Sequence, residues 1–279
     1  NVKKNWNRFI FQGVTSYSWT KDQQIFDADF TYLDVFNNNK KSGQNLFTQE
    51  INLQSAAGSR WNWTIGVFGF YKDLTNKYLA AFGKDKAYLL PMALDEAKYQ
   101  NNTVTSGLAG YGQITLQELW SGMSFTAGLR YDCEKSRLDY ADSLLFTLAT
   151  SYEKYHESDE SKVFTAWLPK FSLLQKCQDN LSLFLSISKG YKAGGYNIIV
   201  NDMSSQMVKL GYKEEKLWNY ELGMKYFSSN GKFHINLAAF FIDWKDQQIF
   251  VMGMMGPGIK NAGDAHSYGG EMDIRWQFL

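Results

Sequence analysis

Apolar residues stand at every second position in several stretches of this chain. In the segment LSLFLSIS, residues 181–188, leucine or isoleucine fills each odd position and serine fills most of the even ones. Successive side chains of a β-strand point to opposite faces, so a period of two gives one apolar and one polar face. The alternation returns along the whole chain and predicts a protein built from half-apolar strands.

The connections between these segments fall into two groups that alternate along the chain. Short turns are predicted at 56–59, 118–122, 178–180 and 228–231, and long connections at 22–44, 73–102, 133–162, 190–214 and 252–258. Bacterial membrane barrels have short turns at the periplasmic rim and long loops at the outer rim, whereas a soluble sandwich has no reason to sort its loops by length. The pattern therefore predicts an all-β fold, a transmembrane antiparallel up-and-down β-barrel.

The spacing of aromatic residues agrees with strands that cross a membrane. Trp61 and Tyr71 share a face and lie ten residues apart, which is about 25 Å along the membrane normal at the usual strand rise and tilt. The apolar band of such barrels is about that tall and has aromatic rings at both interfaces. We predict a helical turn or two within 91–97, and ten strands at 8–20, 46–55, 61–72, 105–117, 123–133, 163–175, 181–191, 215–227, 232–250 and 259–277.

Composition and isolated residues restrict the classes of function. The net charge is +1, so the chain lacks the basic surface that a nucleic-acid partner requires. No run of about 18 apolar residues predicts a membrane helix. Cys133 and Cys177 form no CxxC motif, and spacing cannot decide whether they pair. No metal and no cofactor is predicted, because zinc-ligand spacing is missing among His156, His234 and His266.

Several blocks of sequence, taken in order, resemble the TonB-dependent outer-membrane receptors. The most specific are PKFSL at 169–173, SKGYKAGGYN at 188–197, EKLWNYELG at 215–223 and NAGDAHSYGGE at 261–271. Weaker likeness is found in FTQEINL at 47–53, YGQ at 111–113 and TAGLRY at 126–131. One block alone would be weak, but the ordered set covers nearly the whole chain.

The resemblance implies a larger molecule than this chain. Members of the family have a barrel of about 22 strands, preceded by a globular plug and a segment that contacts TonB. Neither preceding part is recognisable, so residues 1–279 are expected to be a partial barrel domain without a plug domain, reaching TonB only through that missing plug. Inward-facing Arg130, Glu221 and Lys225 are interpreted as lumen charges that pair with one another or with the plug.

The resemblance also implies a function. Such receptors lie in the bacterial outer membrane, in contact with membrane lipid, and use energy relayed by TonB to take up a scarce nutrient, chiefly a ferric siderophore. Their ligands meet the outer loops, where aromatic rings with a polar tip suit a siderophore surface. The candidate ligand contacts in the long connections are Tyr78, Tyr88, Tyr152 and Tyr155. On this reading the protein is not an enzyme.

Two other classes of protein remain open at this point. A small self-contained outer-membrane barrel could be an enzyme, and Asp264 with His266 is the nearest candidate for its site. Such a site also needs a nucleophile or an activated water beside an oriented base, and no such partner is evident. A soluble β-rich binding module would instead bury the stripe of Trp, Leu, Ile and Phe between two sheets.

Overall fold

A computed structural model of the protein describes most of the chain. The described residues are 1–27, 31–56, 58, 60–88, 93–197, 209–253 and 256–278, with the side chains of 155–156 and 252–257 left outside the description. Helical structure in this part of the chain is confined to one 3₁₀ turn, Lys86–Tyr88. None of the described residues belongs to a helix of the length and apolarity that a membrane crossing would need.

Fifteen strands are present in the described residues. Eleven form one sheet: β1 Val2–Asn5, β2 Phe9–Asp27, β3 Phe36–Ser55, β4 Trp61–Phe82, β5 Leu94–Trp120, β6 Met123–Phe146, β7 Glu153–Gln178, β8 Leu181–Lys192, β11 Glu215–Phe227, β12 Phe233–Lys245 and β15 Ala265–Trp276. The other four form two small hairpins, β9 Gly195–Tyr196 with β10 Gly211–Tyr212, and β13 Gln248–Gly253 with β14 Gly256–Asn261.

The large sheet is an antiparallel meander. Each strand pairs with the next member of the order β1-β2-β3-β4-β5-β6-β7-β8-β11-β12-β15. The order departs from sequence only where the two hairpins are inserted, and both hairpins lie in connections at the same rim. The predicted antiparallel up-and-down architecture is confirmed, and each of the ten predicted strands overlaps a strand of the structure.

The apolar face of the sheet is exposed, as a lipid-facing surface requires. On β4, Trp61 is 58% exposed, Val67 50% and Tyr71 48%. The cross-strand register carries the same face along the sheet, since Leu222 lies opposite Leu185 on one side and Ala239 on the other. A soluble module would have buried these side chains, so the structure removes that alternative. We call this the outer face and the opposite one the inner face.

The four short turns all lie at one rim. They connect β3 to β4, β5 to β6, β7 to β8 and β11 to β12. Positive φ angles close three of them at Gly58, Gly122 and Gly231, with φ of 87°, 82° and 69°, a region that glycine enters without steric cost. The predicted sorting of short and long connections by rim is therefore confirmed.

The long connections are largely β-structure, contrary to the loops predicted for them. Strands β2 and β3 pair from Phe9↔Ser55 to Asp27↔Asn37, and β4 and β5 pair from Trp61↔Leu116 to Ala81↔Glu96. Strands β6 and β7 also continue through most of 133–162. The helical turn predicted within 91–97 is wrong for its described part, because Leu94 already begins β5. The sheet thus extends well beyond the membrane-crossing segments at this rim, which we call the loop rim.

Two of the predicted strands are each divided. The segment 232–250 ends as β12 at Lys245, because Asp246 has a φ of 53° and turns the chain into β13. The segment 259–277 is interrupted between β14 and β15, where Gly263 has a φ of 108°. Cys133 on β6 and Cys177 near the end of β7 are free thiols, which settles the pairing that spacing left open.

Candidate functional site

A buried cluster of side chains lies on the inner face near the loop rim. Strands β4, β5 and β6 each contribute a tyrosine to it, and the Tyr78 and Tyr99 rings meet edge to face with centroids 6.0 Å apart. None of the members is more than 5% exposed. We call this set the tyrosine core; it consists of Tyr78, Ala80, Leu94, Ala97, Tyr99, Leu138 and Tyr140.

Burial changes the chemistry of these phenols. Desolvation raises the pKa of Tyr78 to about 12 and moves the pKa of Tyr99 upward as well, with a further contribution from the nearby Asp142 carboxylate. Both hydroxyls therefore stay protonated at physiological pH. The Tyr78 hydroxyl has no hydrogen-bond partner among the described residues. Nearby, Asn76 donates to Asn101 Oδ1 at 3.0 Å in a buried cross-strand pair.

The described parts of the connection between β8 and β11 fold back over the tyrosine core. Tyr196 of β9 and Leu210, which precedes β10, pack against the core as partly buried side chains. The two strands of this hairpin pair through Gly211↔Tyr196 and Tyr212↔Gly195. The inserted hairpin is therefore held by apolar contact against the inner face of the extended strands.

Asn197 joins this hairpin to the second one. Its side-chain amide donates to the carbonyl of Lys209 at 2.8 Å and to that of Ile259 at 2.9 Å, and its Oδ1 accepts from the Ile259 amide at 2.7 Å. Asn197 is 4% exposed. One buried side chain thus satisfies three backbone groups that lie on two separate connections, β8–β11 and β12–β15.

A second set of contacts joins the same two connections. Gln248 donates from its side-chain Nε2 to the carbonyls of Ala193 and Lys213, both at 3.0 Å. The Glu215 carboxylate accepts from the backbone N–H of Gln248 at 2.6 Å and from Trp244 Nε1 at 3.0 Å. Asn261 accepts from the Lys213 amide at 2.8 Å. We call these residues the loop junction: Asn197, Lys213, Glu215, Gln248 and Asn261.

Gly194 leaves the room that the loop junction needs. A Cβ at this position would lie 2.4 Å from the Tyr212 carbonyl oxygen and 2.6 Å from Cε1 of Phe164. Backbone on one side and an aromatic ring on β7 on the other give no space for a side chain. The glycine therefore allows the chain to leave β8 and pass directly under the hairpin.

Three of the loop-junction residues lie in the sequence blocks that resemble TonB-dependent receptors. Asn197 ends SKGYKAGGYN, Glu215 begins EKLWNYELG and Asn261 begins NAGDAHSYGGE. The sequence marked these blocks without indicating that they meet. Gln248 carried no signal at all, because an isolated glutamine within the predicted strand 232–250 gives no pattern from which a partner can be inferred.

The four tyrosines predicted as ligand contacts are not brought together. Tyr78 is buried in the tyrosine core, at 5% exposure, and Tyr88 is 78% exposed on the 3₁₀ turn. Tyr152 donates to Glu96, and the Lys98 ammonium lies 3.4 Å from the centroid of its ring. On β5, Glu96 and Lys98 alternate with Ala97 and Tyr99, which are buried on the inner face. Glu96 and Lys98 therefore point to the outer face, and Tyr152, which contacts both of them, lies over that face. The side chain of Tyr155 lies outside the described residues.

The predicted lumen charges are on the inner face, but they do not all pair with one another. Arg130 forms a two-pronged ion pair with Asp132 two residues along β6, with Nε and Nη2 at 2.8 and 2.7 Å from the carboxylate oxygens. Glu221 and Lys225 of β11 line a shared inner-face depression near the short-turn rim. Arg130 is thus neutralised by a residue on its own strand.

Asp264 and His266, the pair suggested for an enzyme, have structural partners. Lys245 lies 2.8 Å from Asp264, and this ion pair lowers the pKa of the carboxyl and raises that of the ammonium. His266 Nδ1 lies 3.2 Å from Asp243, and its ring stacks on Phe241. Among the described residues no group of three or more His, Cys, Asp or Glu could hold a metal ion. The loop rim offers hydrogen-bonding groups and aromatic rings, which suit binding.

Comparison with known proteins identifies the family to which this fold is similar. The family model described as TonB dependent receptor-like, beta-barrel, matches residues 1–279. The pesticin receptors of Yersinia enterocolitica and Yersinia pestis are 26% identical over 212 residues, covering 76% of this chain and 29% of theirs. The aligned part of the chain therefore covers less than a third of the length of these relatives.

Solved structures show the same fold. The ferric yersiniabactin uptake receptor FyuA from Yersinia pestis superposes with a TM-score of 0.81 at 19% identity, covering 99% of this chain and 39% of that one. The siderophore receptor PiuA from Acinetobacter baumannii gives 0.65 at 12% identity, covering 98% and 43%. The ferric citrate transporter FecA gives 0.63 at 14% identity, covering 98% and 37%.

These proteins are outer-membrane proteins of Gram-negative bacteria, and the exposed apolar face of the sheet has the height and aromatic borders that this location requires. The relatives are transport receptors and not enzymes, in agreement with the structural roles of Asp264 and His266. From the match along its whole length and the shared fold, this chain belongs to the TonB-dependent receptors and forms part of their β-barrel.

Proposed function

We propose that this chain forms part of the barrel wall of a receptor that takes up a ferric siderophore across the outer membrane with energy from TonB. The observation that carries the proposal is the match of residues 1–279 to the receptor barrel family. The names of the similar proteins support the ligand class, since they are receptors or transporters for ferric yersiniabactin, a siderophore and ferric citrate.

The geometry of the loop rim is consistent with this role. Strands β2 to β7 extend beyond the membrane-crossing segments and carry side chains outward from the cell. The loop junction ties the described parts of the two inserted hairpins together, and the β9–β10 hairpin also packs on the tyrosine core through Tyr196 and Leu210, so the two connections are held in a fixed arrangement. A preorganised surface binds a ligand with a smaller loss of conformational entropy than independent loops.

Among the four predicted contacts, Tyr88 is the one whose placement supports a direct role. It is 78% exposed on a short turn between β4 and β5. Tyr78 is buried and Tyr152 is engaged over the outer face, so neither hydroxyl is presented to a ligand in this conformation. We include Tyr88 in the proposed ligand surface and leave out Tyr78 and Tyr152, while Tyr155, whose side chain lies outside the described residues, stays a prediction.

Uptake of iron tests the proposal. Cells that lack the gene are complemented with the receptor, and accumulation of radioactive iron is measured with ferric yersiniabactin, ferric citrate and a ferric catecholate supplied separately. The expected result is accumulation with one of these complexes that disappears when TonB is deleted. Accumulation that is equal with and without the receptor for all the complexes, or that continues without TonB, would contradict the proposal.

Tyr88 is tested in the same cells. Tyr88→Ala is expected to raise the concentration that gives half-maximal uptake about tenfold, the loss produced by roughly 1.4 kcal/mol of contact energy. Tyr88→Phe separates the ring from the hydroxyl, and Tyr32→Ala removes another ring from a neighbouring connection, where the tyrosine is 97% exposed. An equal effect of the Tyr32 and Tyr88 substitutions would show that Tyr88 has no specific role.

A further inference from the structure

The outer face carries a line of lysines at the loop rim. Lys21, Lys41, Lys77 and Lys98 lie on the four consecutive strands β2, β3, β4 and β5 and point to the same face. Lys41 and Lys77 are direct cross-strand partners in the register. Lys41 pairs across strands with Gln23, two residues from Lys21, and Lys77 pairs with Gln100, two residues from Lys98. Lys21 and Lys98 are therefore diagonal neighbours of the central pair, one on each side.

This arrangement is unfavourable for the sheet by itself. Like charges directly opposite each other on neighbouring strands repel and lower stability. Among the described residues no carboxylate lies within ion-pair distance of Lys41 or Lys77, although ion pairs such as Arg137 with Asp159 form elsewhere on this face. A group outside the described chain that carries negative charge would remove the repulsion.

The lysines converge on two adjoining depressions. The first is lined by Lys41, Lys77 and Lys98 with Asn39 and Gln100, and it contains no acidic side chain. The second is lined by Lys21, Lys41 and Lys77 together with Asp22. From these side chains the first carries a charge of +3, and the second +2 after subtraction of Asp22. Amide and hydroxyl groups between the lysines complete a surface suited to phosphate oxygens.

The height of the line above the membrane indicates the kind of molecule that can reach it. Lys41 and Lys77 lie six residues beyond the exposed rings of Phe47 and Tyr71, which is about 15 Å along the membrane normal. The headgroup layer of a simple phospholipid extends only about 5–7 Å beyond the hydrocarbon. A headgroup that contains sugars as well as phosphates is taller and reaches this level, and lysine side chains can bend towards it.

We propose that Lys21, Lys41, Lys77 and Lys98 form a binding site for the phosphate groups of a glycolipid in the outer leaflet. The site lies on the lipid-facing side of the barrel wall, so it is separate from the ligand surface inside the loop rim. Its charge complements a bisphosphorylated headgroup, and the bound glycolipid offsets the repulsion between Lys41 and Lys77.

Native mass spectrometry of the detergent-purified receptor tests the proposal. The probes are lipid A with two phosphates, the same lipid with both phosphates removed, and inorganic phosphate. The double variant Lys41→Gln/Lys77→Gln is expected to bind the bisphosphorylated lipid roughly 30-fold more weakly, the effect of two lysines at an anionic membrane surface. Removal of both phosphates should weaken binding to the unchanged receptor by at least as much.

A matched control removes the same charge elsewhere at the loop rim. Lys84→Gln/Lys260→Gln changes two other exposed lysines and is expected to alter the affinity less than threefold. Equal weakening by both double variants, equal binding of the two lipids, or tight binding of inorganic phosphate with no preference for the lipid would each overturn the proposal. If the first double variant fails to fold, as judged by the loss of the heat-dependent shift in gel migration, Lys21→Gln/Lys98→Gln is measured in its place with the same expectation.

Discussion

Replacement of Asn197 by alanine is expected to open the two inserted hairpins together. The substitution removes three hydrogen bonds of 2.7–2.9 Å and leaves the Ile259 amide and two carbonyls without their partner. At about 1 kcal/mol for each bond, the local free energy of opening falls by about 3 kcal/mol. That change corresponds to a roughly 150-fold larger open population.

Amide hydrogen exchange measures this population directly. Exchange of segments 193–197, 209–213 and 248–261 should accelerate by about two orders of magnitude in Asn197→Ala, because local opening controls exchange in regions below the global stability. The Ile259 amide should lose its protection outright, since the Asn197 side chain is its hydrogen-bond acceptor. Asn197→Asp should be at least as damaging, because a carboxylate cannot donate to the two carbonyls and repels them.

A matched substitution distinguishes this effect from a general loss of stability. Asn236 is an exposed asparagine on β12, and Asn236→Ala should leave exchange at the loop rim unchanged. The reasoning is refuted if Asn197→Ala leaves 256–261 as protected as before while only 193–213 opens, because the two connections would then not be joined through this side chain.

Three further substitutions test other features of the structure. Leu222→Arg places a charge on the lipid face and should lower the free energy of unfolding in the membrane by about 2–4 kcal/mol, measured as a lower denaturant midpoint in vesicles. Ser186→Arg lies on the inner face opposite Glu221 and should have little effect. Tyr78→Phe removes a buried hydroxyl without a hydrogen-bond partner among the described residues, so stability near pH 7 should stay equal or rise by up to about 1 kcal/mol. Because burial raises the pKa of Tyr78 from 10.0 to about 12, the stability that the protonated phenol contributes to the unchanged protein is complete below pH 10 and is lost as the pH rises towards 12. The variant should lack the step in tyrosinate absorbance that belongs to Tyr78. Gly194→Ala forces a Cβ to within 2.4 Å of the Tyr212 carbonyl and should destabilise the loop junction by about 1–3 kcal/mol, with unchanged exchange there as the contrary result.

The membrane-crossing part of the fold could be predicted from the sequence because the membrane requires a strict pattern. Where one face meets lipid and the other meets polar groups, hydrophobicity alternates with a period of two, as it does from Trp61 to Tyr71. The short turns could be located as well, since glycines such as Gly58 and Gly231 are needed where φ is positive.

The extended strands at the loop rim could not be predicted in the same way. Beyond the membrane both faces of a strand can be polar, so the alternation disappears while backbone pairing continues. The segment 37–45, rich in Asn, Lys, Gln and Ser, pairs along its whole length with β2 and β4. Residues with low strand propensity are held there by neighbours that already form a sheet, so tertiary context overrides local preference.

The candidate site was only partly accessible from the sequence. The blocks that contain Asn197, Glu215 and Asn261 could be recognised. Whether they meet depends on the two inserted hairpins, which bring together Asn197 and Ile259, 62 residues apart in the sequence. Tyrosines in the long connections were chosen for their chemistry, and Tyr78 shows why that is insufficient. Its inner-face position on β4 is fixed by strand register, which could not be followed once the hydrophobic pattern had ended.

The two free thiols give the molecule built-in markers of its orientation. Cys133 lies on β6 between the membrane-crossing segment and the loop rim, and exposed Cys177 lies one residue before the end of β7, at the opposite rim. A membrane-impermeant maleimide added to intact cells should therefore leave Cys177 unmodified until the periplasm is opened. Within this part of the receptor, the direction of insertion can be read from its own residues.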